Sequence, residues 1–503
     1  MNYRLLTLLL FWLLLPVLVA GQVSMSAENT GLGGGGTAYI TGYEALFINP
    51  ANLQIRNKNY SIQVGFLQSG VYYESPLEII NPAERFDSYR SVVRYLNQPG
   101  ELDLNLRNDL LDRNFGDNDL NKEFLTRGEI LWFGIKWFRE ERSYAMAMRS
   151  RTASRYRIGR GYYDDTPMRL NGIERVDQSL THRYNSLHEL SFGYSSPFTY
   201  LNGLIPRLSE FIVGIAPKLV VSGSLMETEY LNRYEREIGS DTWARETMYD
   251  LKTTGAFSEQ YKRVLSGIDP LLSAESAFAD HNIFSPTGIG IGLDLGITYL
   301  ITFGDDLSVV RREEEVTEKS LRLSFSLTDL GAIYYYDDPV HRSSGYQAEE
   351  SDSPELSNSY FTGSPSEDLI FLNQMQQHPV FSSAIEKDDN FEALLPTAFN
   401  AGALFQINRL RMMGDFSVGL HRTAFVTPKF ISFIGAEIRP LSFLPLRAGT
   451  RIATEIPGYY SFGAGIETTY FDLNAAIQLR SKSGGPTAEP IGTSVVAIKF
   501  YIP

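Results

Sequence analysis

Four arginines at alternating positions form the most suggestive chemical pattern in the sequence. They share one parity along a strand-like run: Arg149, Arg151, Arg155 and Arg157. Because successive side chains of a strand point to opposite faces, their guanidinium groups would form a ladder on one face. Such a ladder could bind an anionic head group through paired hydrogen bonds. Alternatively, carboxylates from loops or from an inserted segment neutralise it, and the polar interior of a β-barrel favours this second interpretation.

A glycine run near the N-terminus could suggest a phosphate-binding loop. The run G-L-G-G-G-G spans residues 31–36 and includes Gly33 and Gly34. No Lys-Ser or Lys-Thr follows it and no helix plainly begins there, so the context of a phosphate cradle is missing. The conformational freedom of glycine better suits a backbone that threads through a crowded interior. Further along, Asn49-Pro50-Ala51 is a turn signal, because proline fixes its own φ and restricts the residue before it.

The sequence contains no recognisable catalytic or metal-binding motif. Six histidines are scattered along the chain without a His-Glu-x-x-His pattern, and no G-x-S-x-G nucleophile elbow occurs. We therefore predict no enzymatic activity, no catalytic residues, no metal site and no cofactor, although a serine and a histidine that meet across neighbouring strands would escape this search. The chain has no cysteine, which excludes disulfides and a lipid-modified cysteine. The net charge of −14 argues against nucleic-acid binding.

The elements that must position these residues are β-strands. Between residues 288 and 301, apolar side chains occupy every odd position, and glycine, Asp294 or Thr298 occupies the even positions from 288 to 298. Similar alternation recurs near residues 60, 131, 211 and 321 and three times after residue 459. The polar face carries glycine, serine and isolated charges, as the lumen of a membrane barrel does, and the 29 tyrosines and 30 phenylalanines could supply interfacial girdles. An open sheet edge cannot lie in lipid, so the sheet must close.

The chain begins like an exported protein. Arg4 precedes an apolar run from Leu5 to Ala20, and the small residues Ala20 and Gly21 offer a cleavage site. We predict a cleaved signal peptide at 1–21, with an uncleaved membrane anchor as the alternative. No later stretch is long and apolar enough for a membrane helix. A glycine-rich segment at 22–58 precedes a barrel at 59–503. Long, partly helical loops, or inserted mini-domains, are predicted near 75–125, 225–285 and 335–395.

Residues 31–53 resemble the start of FadL-like and PorV-like outer-membrane proteins. The shared motif A-x-x-x-N-P-A-x-L is matched by Ala45, Asn49, Pro50, Ala51 and Leu53. Looser likenesses follow in order at 290–296, 324–331, 395–402 and 444–449. The resemblance implies a barrel of about fourteen strands whose N-terminal segment forms a hatch in the lumen. It also implies a hatch motif made of Gly33, Gly34, Asn49, Pro50 and Ala51.

The pattern and the resemblance together predict an all-β fold, a transmembrane antiparallel barrel in the outer membrane of a Gram-negative cell. The favoured function is passive passage of a hydrophobic or amphipathic small molecule, gated by the hatch. A PorV-like accessory role in protein secretion or surface attachment is the alternative, and a barrel-embedded lipid-modifying enzyme is a third hypothesis. The expected partners are outer-membrane lipids, hydrophobic small-molecule cargo and a secretion-system protein, and no nucleic acid.

Overall fold

The computed structural model describes most of the chain after the predicted signal peptide. It covers residues 26–56, 58, 60–73, 120–162, 166–199, 209–265, 286–303, 319–351, 354, 385–387, 390–453, 458–481 and 488–502. The predicted signal peptide at 1–21 and much of the predicted loops lie outside these residues. No helix within the covered ranges has the length and apolar character needed to cross a bilayer.

The described residues contain twenty β-strands. In chain order they are β1 (Ile62–Tyr73), β2 (Asn121–Arg139), β3 (Arg142–Gly159), β4 (Met168–Leu170), β5 (Ile173–Asp177), β6 (Leu180–Pro197), β7 (Ser209–Glu237), β8 (Trp243–Thr253), β9 (Gly288–Thr302), β10 (Lys319–Tyr335), β11 (Val340–Ser351), β12 (Ile385–Lys387), β13 (Phe391–Leu394), β14 (Ala398–Ile407), β15 (Leu410–Gly419), β16 (Ile431–Leu441), β17 (Leu444–Ala453), β18 (Tyr459–Glu467), β19 (Phe471–Ser481) and β20 (Ala488–Ile502). Short α-helices α1 (Ala27–Gly31) and α2 (Ala256–Leu265), with 3-10 helices at Tyr43–Phe47, Pro50–Gln54 and Arg160–Tyr162, complete the regular structure.

Fourteen strands form a closed antiparallel barrel. The wall runs β1, β2, β3, β6, β7, β9, β10 and then β14 through β20, each strand pairing with the next. The last strand returns to the first through pairs such as Ile62 with Ile502 and Val64 with Phe500. Closure leaves no free edge in the wall, which satisfies the backbone groups that lipid could not. The predicted fold class and the count of about fourteen strands are confirmed.

Alternation along the wall separates an apolar exterior from a polar interior. On β9, Ile289 and Ile291 are 58% and 70% exposed on the outside, whereas Asp294 and Thr298 are buried inside. The same holds on β10, where Phe325 is exposed and Ser324 is buried. Because side chains alternate across a strand, every wall strand contributes to both surfaces. The large apolar residues thus lie where a soluble barrel would carry charge.

The remaining strands extend the wall at one end. β7 continues past the barrel to Glu237, pairing with β5 on one side and β8 on the other. β11 adds to β8, and β12 adds to β11. β8 and β11 lie within the regions predicted as long loops. Both of their faces carry polar side chains, so they lack the lipid-facing pattern by which the other strands were recognised.

The two ends of the barrel differ in their connections. Tight turns at 140–141, 408–409, 442–443 and 468–470 join neighbouring strands at one end, which we call the short-turn end. Strand β1 begins at this end, since Ile62 lies opposite Trp137 and Ile502. The chain before β1 therefore enters the barrel from the short-turn end. We call the opposite end, where β7 and β8 project, the long-loop end.

Candidate functional site

The residues before β1 fill the lumen. We call residues 26–56 the N-terminal segment; all of it is buried except Arg56 and the half-buried Glu28, Gly34 and Gln54. It consists of α1, two 3-10 helices and turns, and none of these described residues pairs with a wall strand. Helix α1 is capped by Ser26, whose hydroxyl accepts from the Asn29 amide at 3.2 Å. The segment is thus an insert held by the wall without belonging to its hydrogen-bonded ladder.

Apolar packing joins the N-terminal segment to the wall. Tyr43, Leu46 and Ile48 of the segment are fully buried in a cluster with wall residues such as Leu131 and Leu404. At about 25 cal/mol for each Å² of apolar surface removed from water, such burial supplies the main attraction between an insert and a wall. The apolar core of this protein lies inside the barrel, between segment and wall.

Glycines of the wall make room for the N-terminal segment. A Cβ added at Gly214 would collide with the Pro50–Ala51 peptide, and one added at Gly449 would collide with Leu32. Eight wall glycines have the N-terminal segment as the nearest obstacle in this way: Gly65, Gly134, Gly193, Gly214, Gly296, Gly435, Gly449 and Gly463. We call these eight residues the glycine seat. Four of them face the segment's backbone, and the other four face the side chains of Tyr43, Leu46 or Asn49. Glycine allows this close approach because it has no side chain.

The predicted Gly33 and Gly34 lie at the tightest point of the segment. Their φ angles are +91° and +98°, in the left-handed region that side chains other than glycine rarely adopt. A Cβ on Gly33 would lie 2.7 Å from the Thr450 carbonyl oxygen. The Gly33 carbonyl accepts from the Tyr459 hydroxyl at 3.0 Å. Both glycines thus let the backbone turn against β17 and β18.

The predicted Asn49-Pro50-Ala51 turn ties the segment to itself and to β9. Asn49 caps the second 3-10 helix by accepting from the Ala51 amide at 3.2 Å, and its amide donates to the Thr298 hydroxyl at 3.0 Å. Asn52 donates to the carbonyls of Thr37 and Ile40 at 2.8 and 2.9 Å. The Thr298 hydroxyl donates to Asn52 Oδ1 at 2.6 Å. Two asparagines three residues apart therefore fold the segment and fix it to the wall.

Charged side chains hold the segment near the short-turn end. Lys499 lies 2.6 Å from Glu44 and also pairs with Glu28. Tyr39 donates to the Glu437 carboxylate, which Arg447 Nε approaches at 2.8 Å. Of these groups, Lys499, Glu28 and Tyr39 border a cavity of about 50 Å³, roughly the room of one or two waters. Its other charged or phenolic lining residues include Lys58, Arg411, Arg439, Glu467, Asp472 and Tyr501.

Burial also sets the protonation of the segment's own side chains. It raises the pKa of the Tyr39 hydroxyl, so that this phenol keeps the proton that it donates to Glu437. It also raises the pKa of the Glu44 carboxyl, and Lys499 opposes that shift. The pairing of Glu44 with Lys499 is what makes a buried carboxylate tolerable in the segment.

Carboxylates of the wall neutralise much of the predicted arginine ladder. Arg149 lies 2.7 Å from Glu189 and 3.7 Å from Glu129. Arg151 lies 3.0 Å from Asp329, and Arg155 pairs with Glu123. The remaining arginine, Arg157, donates to the Asn121 side chain at 3.0 Å. These partners belong to wall strands, whereas the sequence interpretation had placed the neutralising carboxylates on loops or on the hatch.

Arg149 and Arg151 of the ladder belong to a buried layer of charge above the N-terminal segment. Lys218 completes it, 2.7 Å from Asp294 and 2.6 Å from Asp329. The Arg149 guanidinium also stacks 4.0 Å from the centre of the Phe47 ring, which belongs to the segment. The layer contains equal numbers of cations and anions: Arg127, Arg149, Arg151 and Lys218 with Glu129, Glu189, Asp294 and Asp329.

A loop folds into the lumen from the long-loop end. Residues 420–430 connect β15 and β16, and Phe425 within them is 1% exposed. The Thr423 hydroxyl accepts from the amides of Phe425 and Val426, both at 3.1 Å. Arg151 lies 4.8 Å from the centre of the Phe425 ring. The charge layer is therefore bracketed by Phe47 from below and Phe425 from above.

Comparison with known protein families identifies the family to which the chain belongs. The profile of a family of unknown function (DUF5723) matches residues 60–482, which is well over half of the sequence. The chain belongs to this family. The match begins just after the N-terminal segment and spans the barrel wall from β1 to β19. No functionally curated protein matches this family member.

Several solved structures align with the chain over most of their length. The Ralstonia pickettii toluene transporter TbuX has 11% identity and a TM-score of 0.42, covering 95% of this chain and 99% of that chain. The Pseudomonas putida toluene transporter TodX has 11% identity and a TM-score of 0.41, covering 96% and 99%. A Pseudomonas aeruginosa FadL homologue has 11% identity and a TM-score of 0.22, covering 95% and 98%. Sequence identities and TM-scores this low give no information about the function of this chain.

Two serine–histidine pairs form across β3 and β6 in this DUF5723 barrel. Ser150 Oγ lies 2.8 Å from His188 Nδ1, and Ser154 Oγ lies 3.0 Å from His182 Nε2. The Trp132 indole donates to Ser150 Oγ at 2.7 Å, on the outward face of the wall. Among the described residues, no group of three or more histidine, aspartate or glutamate side chains is arranged to hold a metal ion.

Several residues that hold the segment escaped the sequence interpretation. The role of Asn52 could have been inferred from the sequence, because Asn52 follows Asn49 by three residues and so lies beside it in a 3-10 turn. Asp415 had only its place on the polar face of a strand, yet its carboxylate accepts from the amides of Gly36 and Thr37. Glu437 and Lys499 likewise depend on which strands become neighbours. The sequence of one strand contains no such information.

Proposed function

We propose that this chain is an outer-membrane barrel through which a hydrophobic or amphipathic small molecule passes passively, with the N-terminal segment as the hatch. The outward apolar side chains support the membrane location. Large residues such as Ile291, Phe462 and Phe500 are 70%, 51% and 48% exposed on wall strands. Exposed apolar area of this extent is stable when lipid covers it.

The observation that carries the proposal is the way the N-terminal segment is held. It fills the lumen, forms no ladder with the wall, and rests on the glycine seat through backbone and side-chain atoms. Displacing it breaks side-chain contacts and leaves the barrel's hydrogen bonds intact. An insert of this kind can move while the wall stays closed, as a gate requires.

A single added side chain in the glycine seat tests the hatch. Gly214→Val places a branched side chain against the Pro50–Ala51 peptide, so the segment should leave its seat while β7 stays paired. We expect higher conductance in planar bilayers and faster entry of the apolar dye N-phenylnaphthylamine into cells. The free energy of unfolding of the barrel should change by no more than about 3 kcal/mol.

The matched control is Gly414→Val on β15. A Cβ at Gly414 meets nothing within 4 Å, because this glycine faces outward. It should leave conductance and dye entry at wild-type values. If Gly214→Val left the segment protected from protease and both readouts unchanged, the segment would be a fixed part of the wall and not a gate.

A specific feature favours the accessory role as a second candidate. The sheet of β5, the second half of β7, β8, β11 and β12 extends beyond the barrel at the long-loop end. Its outward face offers Tyr346, which is 59% exposed, beside charged residues of β8. Such a surface could bind a protein of a secretion or surface-attachment system. Tyr346→Ala should then reduce co-purification of a partner from native outer membranes without changing dye entry.

The lipid-modifying enzyme is the third hypothesis, and Ser150 is where it would act. A nucleophilic serine needs a base within hydrogen-bonding reach, and His188 lies at that distance. The Trp132 indole already donates a hydrogen bond to this serine oxygen. This favours the simpler interpretation that polar side chains on the outward face satisfy one another's hydrogen bonds. Phospholipid hydrolysis by purified protein that Ser150→Ala abolishes would support the enzyme.

A further inference from the structure

Arg322 is a buried cation in apolar surroundings. It projects into the lumen from β10 close to the short-turn end and is 4% exposed. Directly opposite it on the neighbouring strands lie Leu300 of β9 and Leu404 of β14, which are 3% and 1% exposed. The two leucines therefore flank the guanidinium and remove it from water.

No described residue neutralises this guanidinium. Within the covered ranges, the buried Nε of Arg322 has no hydrogen-bond acceptor. The ionisable groups that act on it are Arg411, Lys136 and Tyr39. None of these is an anion while the tyrosine keeps its proton. Arginine stays protonated in proteins, so Arg322 cannot lower the cost of its burial by losing its charge.

The neighbouring Arg411 is only partly neutralised. Its NH1 lies 3.2 Å from Glu437, and its Nε donates to Gln406 at 3.2 Å. The same carboxylate also serves Arg439 at 2.9 Å and Arg447 at 2.8 Å. Arg411, Arg439 and Arg447 all contact Glu437. Arg439 and Arg447 also contact a second carboxylate, Glu467. Arg322 and Arg411 together thus form a concentration of positive charge that the wall does not balance.

We propose that Arg322 and Arg411 bind an oxyanion, a phosphate or carboxylate group, inside the lumen near the short-turn end. A buried charge without a partner is strongly unfavourable, and a bound anion relieves it. The planar fork of a guanidinium matches the geometry of phosphate and carboxylate oxygens. The site does not depend on the barrel conducting any cargo.

The anion has two sources that share this chemistry. Free inorganic phosphate could occupy the site as a counter-ion that stabilises the filled barrel. The head group of a single-chain amphiphile could occupy it as well. Dodecyl phosphate carries the same charged group as inorganic phosphate and adds only the chain, so the pair of ligands distinguishes the sources.

Equilibrium dialysis of the full chain in a neutral detergent tests the site. Radiolabelled inorganic phosphate is the probe, and unlabelled dodecyl phosphate is the competitor. We expect about one saturable phosphate site in each chain, and at least ~10-fold weaker binding after Arg322→Met, which removes the bidentate fork. The matched control is Arg409→Met, an exposed arginine on the β14–β15 turn, which should bind as the wild type does.

A second variant keeps the test decisive if Arg322→Met does not fold. Arg322→Lys retains the charge and loses the fork, and it should bind several-fold more weakly than wild type. Displacement by dodecyl phosphate at much lower concentration than by unlabelled phosphate assigns the site to a head group, and equal displacement assigns it to the free ion. Absence of saturable binding by the wild type, or undiminished binding by both Arg322 variants, would overturn the proposal.

Discussion

Single carboxylates decide how charge is balanced inside this barrel. Glu437 accepts from arginines on three successive strands, Arg411 of β15, Arg439 of β16 and Arg447 of β17. It also accepts from Tyr39 of the N-terminal segment. One side chain thus couples the wall to the N-terminal segment, because it is the acceptor common to both.

Removing that acceptor should be costly. Glu437→Gln leaves three guanidinium groups with one carboxylate fewer, and we expect a loss of about 3–5 kcal/mol in the free energy of unfolding. The control is Glu229→Gln, which removes the partner of Arg183 from a site that is 47% exposed, and which should cost less than about 1 kcal/mol. Urea unfolding in lipid vesicles measures both. Equal losses for the two variants would contradict this account of Glu437.

Asn52 is expected to hold the segment's fold. Asn52→Ala removes two hydrogen bonds to the carbonyls of Thr37 and Ile40 and leaves those carbonyls buried. We expect local destabilisation by about 2–4 kcal/mol, seen as faster hydrogen exchange at residues 36–53. Gln54→Ala, at the partly exposed end of the segment, should leave exchange there unchanged. Protection that is identical in both variants would show that packing alone holds the segment.

Among the elements, the in-folded loop at 420–430 differs from the wall because it is not one of the fourteen strands and lies inside the lumen. Its position depends on burial of Phe425 and on the Thr423 turn. Phe425→Ala should remove about 3–5 kcal/mol of packing and release the loop from the lumen, with loss of hydrogen-exchange protection at residues 423–427. Leu420→Ala, at a side chain that is 54% exposed, should leave that protection intact.

The strands themselves were recognisable to different degrees. β9 was predicted within one residue of its observed bounds, because its outward face is apolar and its inward face is glycine-rich. β8 and β11 were assigned to loops, because both faces of a strand outside the lipid carry polar groups. The helical character predicted for the loop near 225–285 corresponds to α2 at Ala256–Leu265, while residues 266–285 lie outside the described ranges.

For the whole molecule, the apolar exterior determines where a charge can be placed. Ile291→Arg puts a cation on the outward face of β9, where Ile291 is 70% exposed, and should cost about 2–4 kcal/mol in a bilayer if the barrel spans it. Tyr346→Arg, at a side chain that is 59% exposed on the sheet beyond the barrel, should cost less than about 1 kcal/mol. Urea unfolding in vesicles compares the two, and equal costs would argue that no lipid covers the wall.

The sequence alone determined the strand pattern, the closure of the sheet and the identity of its inner face. These follow from period-two alternation and from the need to satisfy backbone groups in lipid, both of which are local or general. Only the tertiary structure decided what the inner face does. The glycines at 65, 214 and 449 read simply as small residues until the N-terminal segment was found against them. Arg322 read as one lumen charge among many until its neighbours proved to be two leucines and a second arginine. Contacts between residues hundreds of positions apart depend on the register and curvature of the closed wall, and no single strand encodes either.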